Sequence, residues 1–289
     1  DAPDFNRAFE GKEGWLFIGN SEERATDKLT GLMKPRRVNR RIEQIREGLA
    51  RYESTPRFFF LGPAKSSVYG EHLPDFVRPA PVRYSESLLE TLRQGGLAVY
   101  DPTAALLKAK ARGLLYYKTD THWNALGASV AVEGFIDYYN RQAPPEKQLR
   151  LPPYALVPGP PFKGNLIGFG NFIYLKPEAG DNFKVIWLQP VSKLKRIDEN
   201  GERLAAPEEM TTMPFSNHPF TIINPNAASD LRVWLFRDSF SSAMAPFLHS
   251  VFAETRHIFK HDLFTGMKGT DSSVPLPDLI IYEIVELDL

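Results

Sequence analysis

Cysteine is absent from this chain, which excludes disulfides, thiolate metal sites and thiol catalysis. The absence suits an exported protein and a cytosolic one equally, so it does not fix a compartment. A charge surplus is missing too: 35 Lys and Arg balance 35 Asp and Glu. Nothing in that balance points to nucleic acid or an acidic membrane, although a local basic groove escapes a net count. No run of about 18 apolar residues occurs, so no segment reads as a membrane span. Histidine is sparse, with six residues scattered at 72, 122, 218, 249, 257 and 261. His257 and His261 are four apart but flank Phe259-Lys260, which reads as a strand ending where that spacing does not converge, so no metal site is expected. Gly168-Phe169-Gly170 lacks the GxGxxG spacing and the strand–helix setting of a nucleotide loop, and no cofactor is expected. The chain begins at Asp1 rather than Met, and removal of an N-terminal signal or anchor is expected.

What is present suits a soluble globular protein: 43% hydrophobic and 24% charged residues over 289 positions, enough to bury a sizeable core. Gly11 to Gly19 is a glycine-bounded apolar run with the pattern of a short strand or hairpin. Val38, Ile42, Ile45 and Leu49 recur at helical spacing. Phe58-Phe59-Phe60-Leu61, closed by Gly62-Pro63, has the continuous apolar character of a strand buried on both faces. Helices are expected over 87–92, 104–110, 124–139 and 241–248, with further strands at 97–100, 233–236, 257–259 and 279–282. From 144 to 226 prolines cluster and short β-type pieces such as Phe172–Leu175 and Val185–Leu188 stand between polar turns, the texture of a β-rich insertion or lid. Strand and helix alternating around such an insertion predict an α/β fold with a mostly parallel sheet, residues 1–289 forming one domain and 144–226 an insertion within it.

Two segments carry the chemistry. In Lys118-Thr119-Asp120-Thr121-His122-Trp123 the Asp lies two residues before the His, a spacing that puts both side chains on one side of an extended or turn segment. The carboxylate can then engage Nδ1–H and leave Nε2 as a base. In Arg237-Asp238-Ser239-Phe240 a serine follows the 233–236 strand and precedes a helix, where ligands bind in open α/β sheets and helix N–H groups offer an oxyanion site. Each segment also has a plainer use. Asp238 or Ser239 suits a helix N-cap, and Asp120-Thr121 could cap the helix near Asn124. Together they outline a Ser-His-Asp esterase or acyltransferase.

These residues carry a resemblance. Gly11-Lys12-Glu13-Gly14-Trp15-Leu16-Phe17 resembles the GKDGWLF segment of the alginate O-acetyltransferase family. Pro63-Ala64-Lys65 with Tyr69-Gly70-Glu71-His72-Leu73-Pro74 resembles its Pro-x-Lys, Tyr and Leu-Pro segment. Thr119-Asp120-Thr121-His122-Trp123 resembles its TDxHW motif and Asp238-Ser239-Phe240 its nucleophile motif. The matches run in order from 11 to 240. The resemblance implies an SGNH-hydrolase-like fold with permuted motif order and an extracytoplasmic enzyme that O-acetylates an exopolysaccharide. The acetyl group would come through a membrane-bound O-acyltransferase, within a membrane-associated complex and without nucleic acid. It also implies periplasmic location, with an inner-membrane anchor as one form the removed segment could take. By the same resemblance Ser239 is the nucleophile, His122 the base and then acid, and Asp120 its orienter. Two other outcomes share the motifs: a carbohydrate acetylesterase, or a non-catalytic binding subunit of an export complex. Lys65, Trp123, Asn165 and Arg237 are the further candidates for substrate or oxyanion contact. Arg237 stands where parent SGNH hydrolases carry Gly, and Gly164-Asn165-Leu166 stands where relatives carry Gly-Asp-Leu. The C-terminal carbohydrate-binding module of some relatives does not follow strand 279–282, so a partner for polymer binding is expected.

Overall fold

The structure, a computed structural model, describes residues 6–21, 24–33, 35–177, 179–188, 194–205, 217–265 and 276–289. Among them, strands β1 (Ala8–Glu10) and β2 (Leu16–Ile18) form an antiparallel hairpin at the N-terminal end. The central sheet contains β3 (Arg57–Gly62) and β4 (Ala98–Tyr100). A second two-stranded sheet pairs β5 (Tyr154–Pro158) with β6 (Phe183–Trp187). The remaining strands, β7 (Lys195–Asp198), β8 (Arg203–Leu204), β9 (Phe220–Ile223), β10 (Arg232–Arg237), β11 (Glu254–Phe259) and β12 (Leu279–Val285), all join the central sheet. Its order is β4-β3-β12-β10-β11-β9-β7-β8. The first five are mutually parallel, and β9, β7 and β8 continue antiparallel. The expected α/β class with a largely parallel sheet is what the chain adopts.

The alternation of strand side chains decides the layering. Phe58, Phe60, Val233, Leu235, Leu279 and Ile281 face one core with the helices Ala125–Asn140 and Ser241–Val251. Their neighbours Phe59, Leu61, Trp234, Phe236, Ile280 and Tyr282 face the other core, together with Val38, Ile42, Ile45 and Leu49 of the helix Pro35–Ala50 and Leu88, Leu89 and Leu92 of Tyr84–Gln94. Both faces of β3, β10 and β12 are therefore buried, as their unbroken apolar runs require.

The 144–226 stretch divides its strands between two places: β5 and β6 form the separate pair, and β7–β9 widen the central sheet. Phe172–Leu175, read above as a β-type piece, is a correction. It is turn structure, entered through Asn171 at positive φ, and Phe172 is buried against Ala8, Leu16, Leu166 and Ile167. The four residues carry strand-like composition because one aromatic is needed to plug a small core, not because they join a ladder.

Candidate active site

Every parallel strand of the central sheet points its C-terminal end to the same edge, and the two chemical segments meet there. The acid–histidine segment is a loop closed at its base by an antiparallel bridge between Tyr116 and Trp123. The hydrogen bonds Tyr117 N–H to His122 O (3.3 Å) and Asn124 N–H to Leu115 O (3.0 Å) flank it. Asn124 caps the following helix, its side chain accepting from Gly127 N–H. Asp120 and Thr121 are thus free of the capping duty considered for them. Asp120 Oδ1 lies 2.6 Å from His122 Nδ1 and accepts His122 N–H at 3.0 Å, and its Oδ2 accepts Asn165 N–H at 2.7 Å. A carboxylate partner requires the proton on Nδ1, which leaves Nε2 as an acceptor. Ser239 Oγ lies 2.7 Å from that Nε2. The three residues form one continuous hydrogen-bonded line.

Burial acts to raise the Asp120 pKa, but the His122 ring, the two backbone N–H groups and the imidazole's charge outweigh it and hold the carboxyl below its ordinary value. A buried carboxylate that accepts three hydrogen bonds stays ionised, the condition for orienting an imidazole.

Ser239 occupies the turn between β10 and the Ser241–Val251 helix. The helix N-cap position is Phe240, with no side-chain cap bond, so Ser239 Oγ is not used for capping. Asp238 shapes the turn instead: Oδ1 accepts Phe240 N–H (2.9 Å) and Oδ2 accepts Val285 N–H (2.7 Å). Beneath it lies Glu283, 0% exposed, whose Oε2 accepts from Ser241 Oγ at 2.6 Å. Burial, reinforced by the neighbouring Asp238 charge, pushes the Glu283 carboxyl well up. Sequence inspection missed this residue because it sits mid-strand in an otherwise apolar run.

The four further candidates are placed as follows. Asn165 adjoins the line: besides its N–H to Asp120, its Oδ1 accepts from Thr121 N–H (3.1 Å) and Thr121 Oγ (3.3 Å). That fixes the amide orientation and leaves Nδ2 as an available donor, with no hydrogen bond of its own among the described residues. Trp123 is 0% exposed and cannot stack on a sugar. Its Nε1 donates to Phe240 O (2.9 Å), tying the histidine loop to the serine turn. Arg237 is 1% exposed and reaches neither solvent nor an acidic ligand. Burial lowers its pKa to about 10 against the opposing charges of Glu283 and Asp238, and its guanidinium lies 5.4 Å from the Phe220 ring centre. Lys65 faces the protein interior rather than solvent. It is 4% exposed, with Nζ donating to the carbonyls of Tyr117 (3.1 Å), Lys118 (3.0 Å) and Asp120 (2.6 Å). Also unsignalled in sequence was a buried pair behind the serine turn, His249 and His257, whose Nε2 atoms are 2.8 Å apart. Burial pushes both down, His249 to about 3, and both are neutral.

Gly164 is dictated by contact. A Cβ there would meet Asp120 N at 2.5 Å and the carbonyl of Thr119 closer still, all backbone atoms of the acid's own loop. We expect Gly164→Ala to displace Asp120 and lower esterase turnover at least a hundredfold, in line with the cost of a 1 Å misplacement, while the thermal midpoint moves by only a few degrees. A variant within twofold of wild type would show that the loop tolerates the shift.

Comparison with known proteins identifies the family and the fold. The family model described as "SGNH hydrolase-like domain, acetyltransferase AlgX" matches residues 8–168, a span that contains Asp120, His122 and Asn165 and stops before Ser239. A probable alginate O-acetylase AlgJ of Pseudomonas putida is 30% identical over 194 residues, 63% of this chain and 47% of that protein. The Azotobacter vinelandii protein of the same description is 25% identical over 249 residues, 85% of this chain and 61% of its own length. The chain spans about half the length of the curated relatives it matches. Among solved structures, the O-acetyltransferase domain of Pseudomonas putida AlgJ superimposes with a TM-score of 0.61 at 19% identity, covering 97% of this chain and 91% of that one. Bacillus cereus PatB1 with a sulfonyl adduct gives 0.68 at 14% identity, covering 98% and 96%. With more than half its length inside the family model and the fold shared throughout, the chain belongs to the SGNH hydrolase-like, AlgX-type acetyltransferase domain family.

Proposed function

We propose that this chain is an extracytoplasmic O-acetyltransferase that carries the acetyl group on Ser239 and delivers it to a hydroxyl of an exopolysaccharide. The observation that carries the reading is the unbroken line from Asp120 through His122 to Ser239 Oγ. In the first half-reaction Ser239 Oγ attacks the donor's acetyl carbonyl while its proton passes to His122 Nε2. The tetrahedral oxyanion collapses, the donor oxygen departs with that proton, and acetyl-Ser239 remains. In the second half an acceptor hydroxyl gives its proton to Nε2 and attacks the acetyl carbon, and the serine oxygen leaves with the proton. Asp120 stays ionised throughout and steadies the imidazolium. Asn165 Nδ2 and the N-terminal N–H groups of the 241–251 helix are the donors we assign to the oxyanion. The acetyl donor is assigned to a membrane-bound O-acyltransferase on the strength of the family resemblance. No helix among the described residues is long and apolar enough to cross a membrane.

The His122 side chain is 28% exposed, so water can reach the acyl-enzyme when no acceptor is bound. Slow acetylesterase activity on activated esters is the expected side reaction. The test is intact mass after brief exposure to p-nitrophenyl acetate, followed by peptide mapping and then addition of oligosaccharide acceptors. One acetyl group on the Ser239 peptide, removed faster by an acceptor than by water, supports the proposal. An acetyl group on any other residue, or removal that no acceptor accelerates, counts against transfer through Ser239.

A further inference from the structure

Lys65 presents an ammonium with three N–H bonds, and three backbone carbonyls, those of Tyr117, Lys118 and Asp120, receive them. All three belong to the turn that carries Asp120. Other polar atoms of that turn are engaged elsewhere: Lys118 N–H with Asp181 Oδ2, Thr119 O with Leu166 N–H, and Lys118 O with Leu16 N–H as well. The ammonium lies 5.6 Å from the ring centre of Trp15 and 5.5 Å from that of Phe17. The lysine is anchored from the far side, because Ala64 N–H and Ser67 Oγ bind the buried carboxylate of Glu286 at 2.9 and 2.6 Å.

We propose that Lys65 is a positioning residue that functions only as the ammonium: losing one proton leaves two donors for three carbonyls, frees one strut of the Tyr117–Asp120 turn, and loosens Asp120 from His122. The inference rests on the catalytic reading of Ser239 given above. The charged groups facing Lys65 from the surrounding elements are the carboxylates of Asp120 and Asp181, and both favour the charged form. From the hairpin side the rings of Trp15 and Phe17 lie near it, and His72 stacks on the indole at 4.8 Å. Burial outweighs those acids and brings the Lys65 pKa down to about 7.

Activity and stability then respond to pH in opposite directions. Above neutrality the folded chain gives up a proton that the unfolded chain, with lysine at its ordinary 10.5, retains. The unfolded state binds more protons there, so stability rises with pH between the two values, while the turn loses its third strut. A lysine that merely packs would move neither quantity in this paired way.

The experiment follows the rate of Ser239 sulfonylation by phenylmethanesulfonyl fluoride, read by intact mass and corrected for reagent hydrolysis, from pH about 6 to about 9.5. Wild type should lose about tenfold per pH unit above neutrality. Its denaturation midpoint should climb over the same interval relative to Lys65→Arg, which titrates in neither state. Lys65→Arg should keep its labelling rate at high pH, and Lys65→Met should label slowly at every pH. A wild-type rate that holds or rises through the alkaline range overturns the proposal without recourse to any variant, as does Lys65→Met labelling at the wild-type rate. Ser239→Ala is the control. Wild type that takes no label at any pH, or label that persists in Ser239→Ala, overturns the nucleophile assignment itself and the lysine's role with it.

Discussion

Ser239→Ala is expected to lower turnover of an activated acetyl ester by about a millionfold, and adding His122→Ala to it is expected to cost almost nothing more. The reason is the single 2.7 Å contact between Oγ and Nε2. A hydroxyl attacks an ester usefully only while its proton is being taken, so serine and imidazole act as one unit, and losing either loses the covalent route. What survives is the rest of the site with the oxyanion donors proposed above, including Asn165 Nδ2, whose orientation depends on Thr121 and not on the serine. Stability should barely change, because the serine hydroxyl makes one hydrogen bond and lies outside both apolar cores. Steady-state hydrolysis of p-nitrophenyl acetate, with thermal midpoints for each variant, is the measurement. A serine variant that retains more than about one per cent of wild-type turnover would assign the chemistry to another nucleophile.

Asp120→Asn is expected to cost about ten-thousandfold with the fold intact. Asparagine has one carbonyl oxygen where aspartate offers two charged ones, and both are committed: Oδ1 to the imidazole and His122 N–H, Oδ2 to Asn165 N–H. If the amide nitrogen faces the ring, Nδ1 must become the acceptor, the proton moves to Nε2, and the base points a hydrogen at Ser239. If it faces Asn165, two N–H donors oppose each other across a 2.7 Å gap. Either arrangement disables the base. The substitution also removes an acid-sensitive contribution to stability. The Asp120 pKa lies below its ordinary 3.8 in the fold, so its stabilisation is present above about pH 4 and fades as pH falls through the lowered value. The acid limb of the denaturation profile should therefore flatten in Asp120→Asn. An unaltered limb, or turnover within tenfold of wild type, would remove Asp120 from the role.

The sequence and the structure agree best where one local rule decides. Val38, Ile42, Ile45 and Leu49 face a core because their spacing follows the helical repeat, and the Phe58–Leu61 run is buried on both faces because nothing polar interrupts it. The meeting of Asp120, His122 and Ser239 was legible for another reason: an acid, an imidazole and a serine of this kind are useful only in company, so the two segments implied each other across 117 positions. Lys65, Trp123 and Arg237 were not legible as what they are. Each has a polar tip that suggests solvent or ligand, and each is buried by elements distant in sequence, the β1–β2 hairpin over Lys65, Phe240 and Tyr116 against Trp123, and Phe220 over Arg237. Burial of a long cationic side chain depends on what is laid on top of it, which spacing does not encode. Glu283 was hidden by the opposite circumstance, a lone acid in a strand whose apolar neighbours set its surroundings.

β12 lies between β3 and β10, and its C-terminal end anchors both halves of the site: Val285 N–H holds Asp238 beside Ser239, and Glu286 holds the Ala64–Ser67 turn that seats Lys65. Yet β12 is the last strand in chain order, about 220 residues from its neighbour β3. The consequence is kinetic. The central sheet cannot close until its middle member is inserted between strands made earlier, a high-contact-order step that slows folding. During synthesis the Ser239 turn and the His122 loop lack this common anchor until β12 takes its place in the sheet.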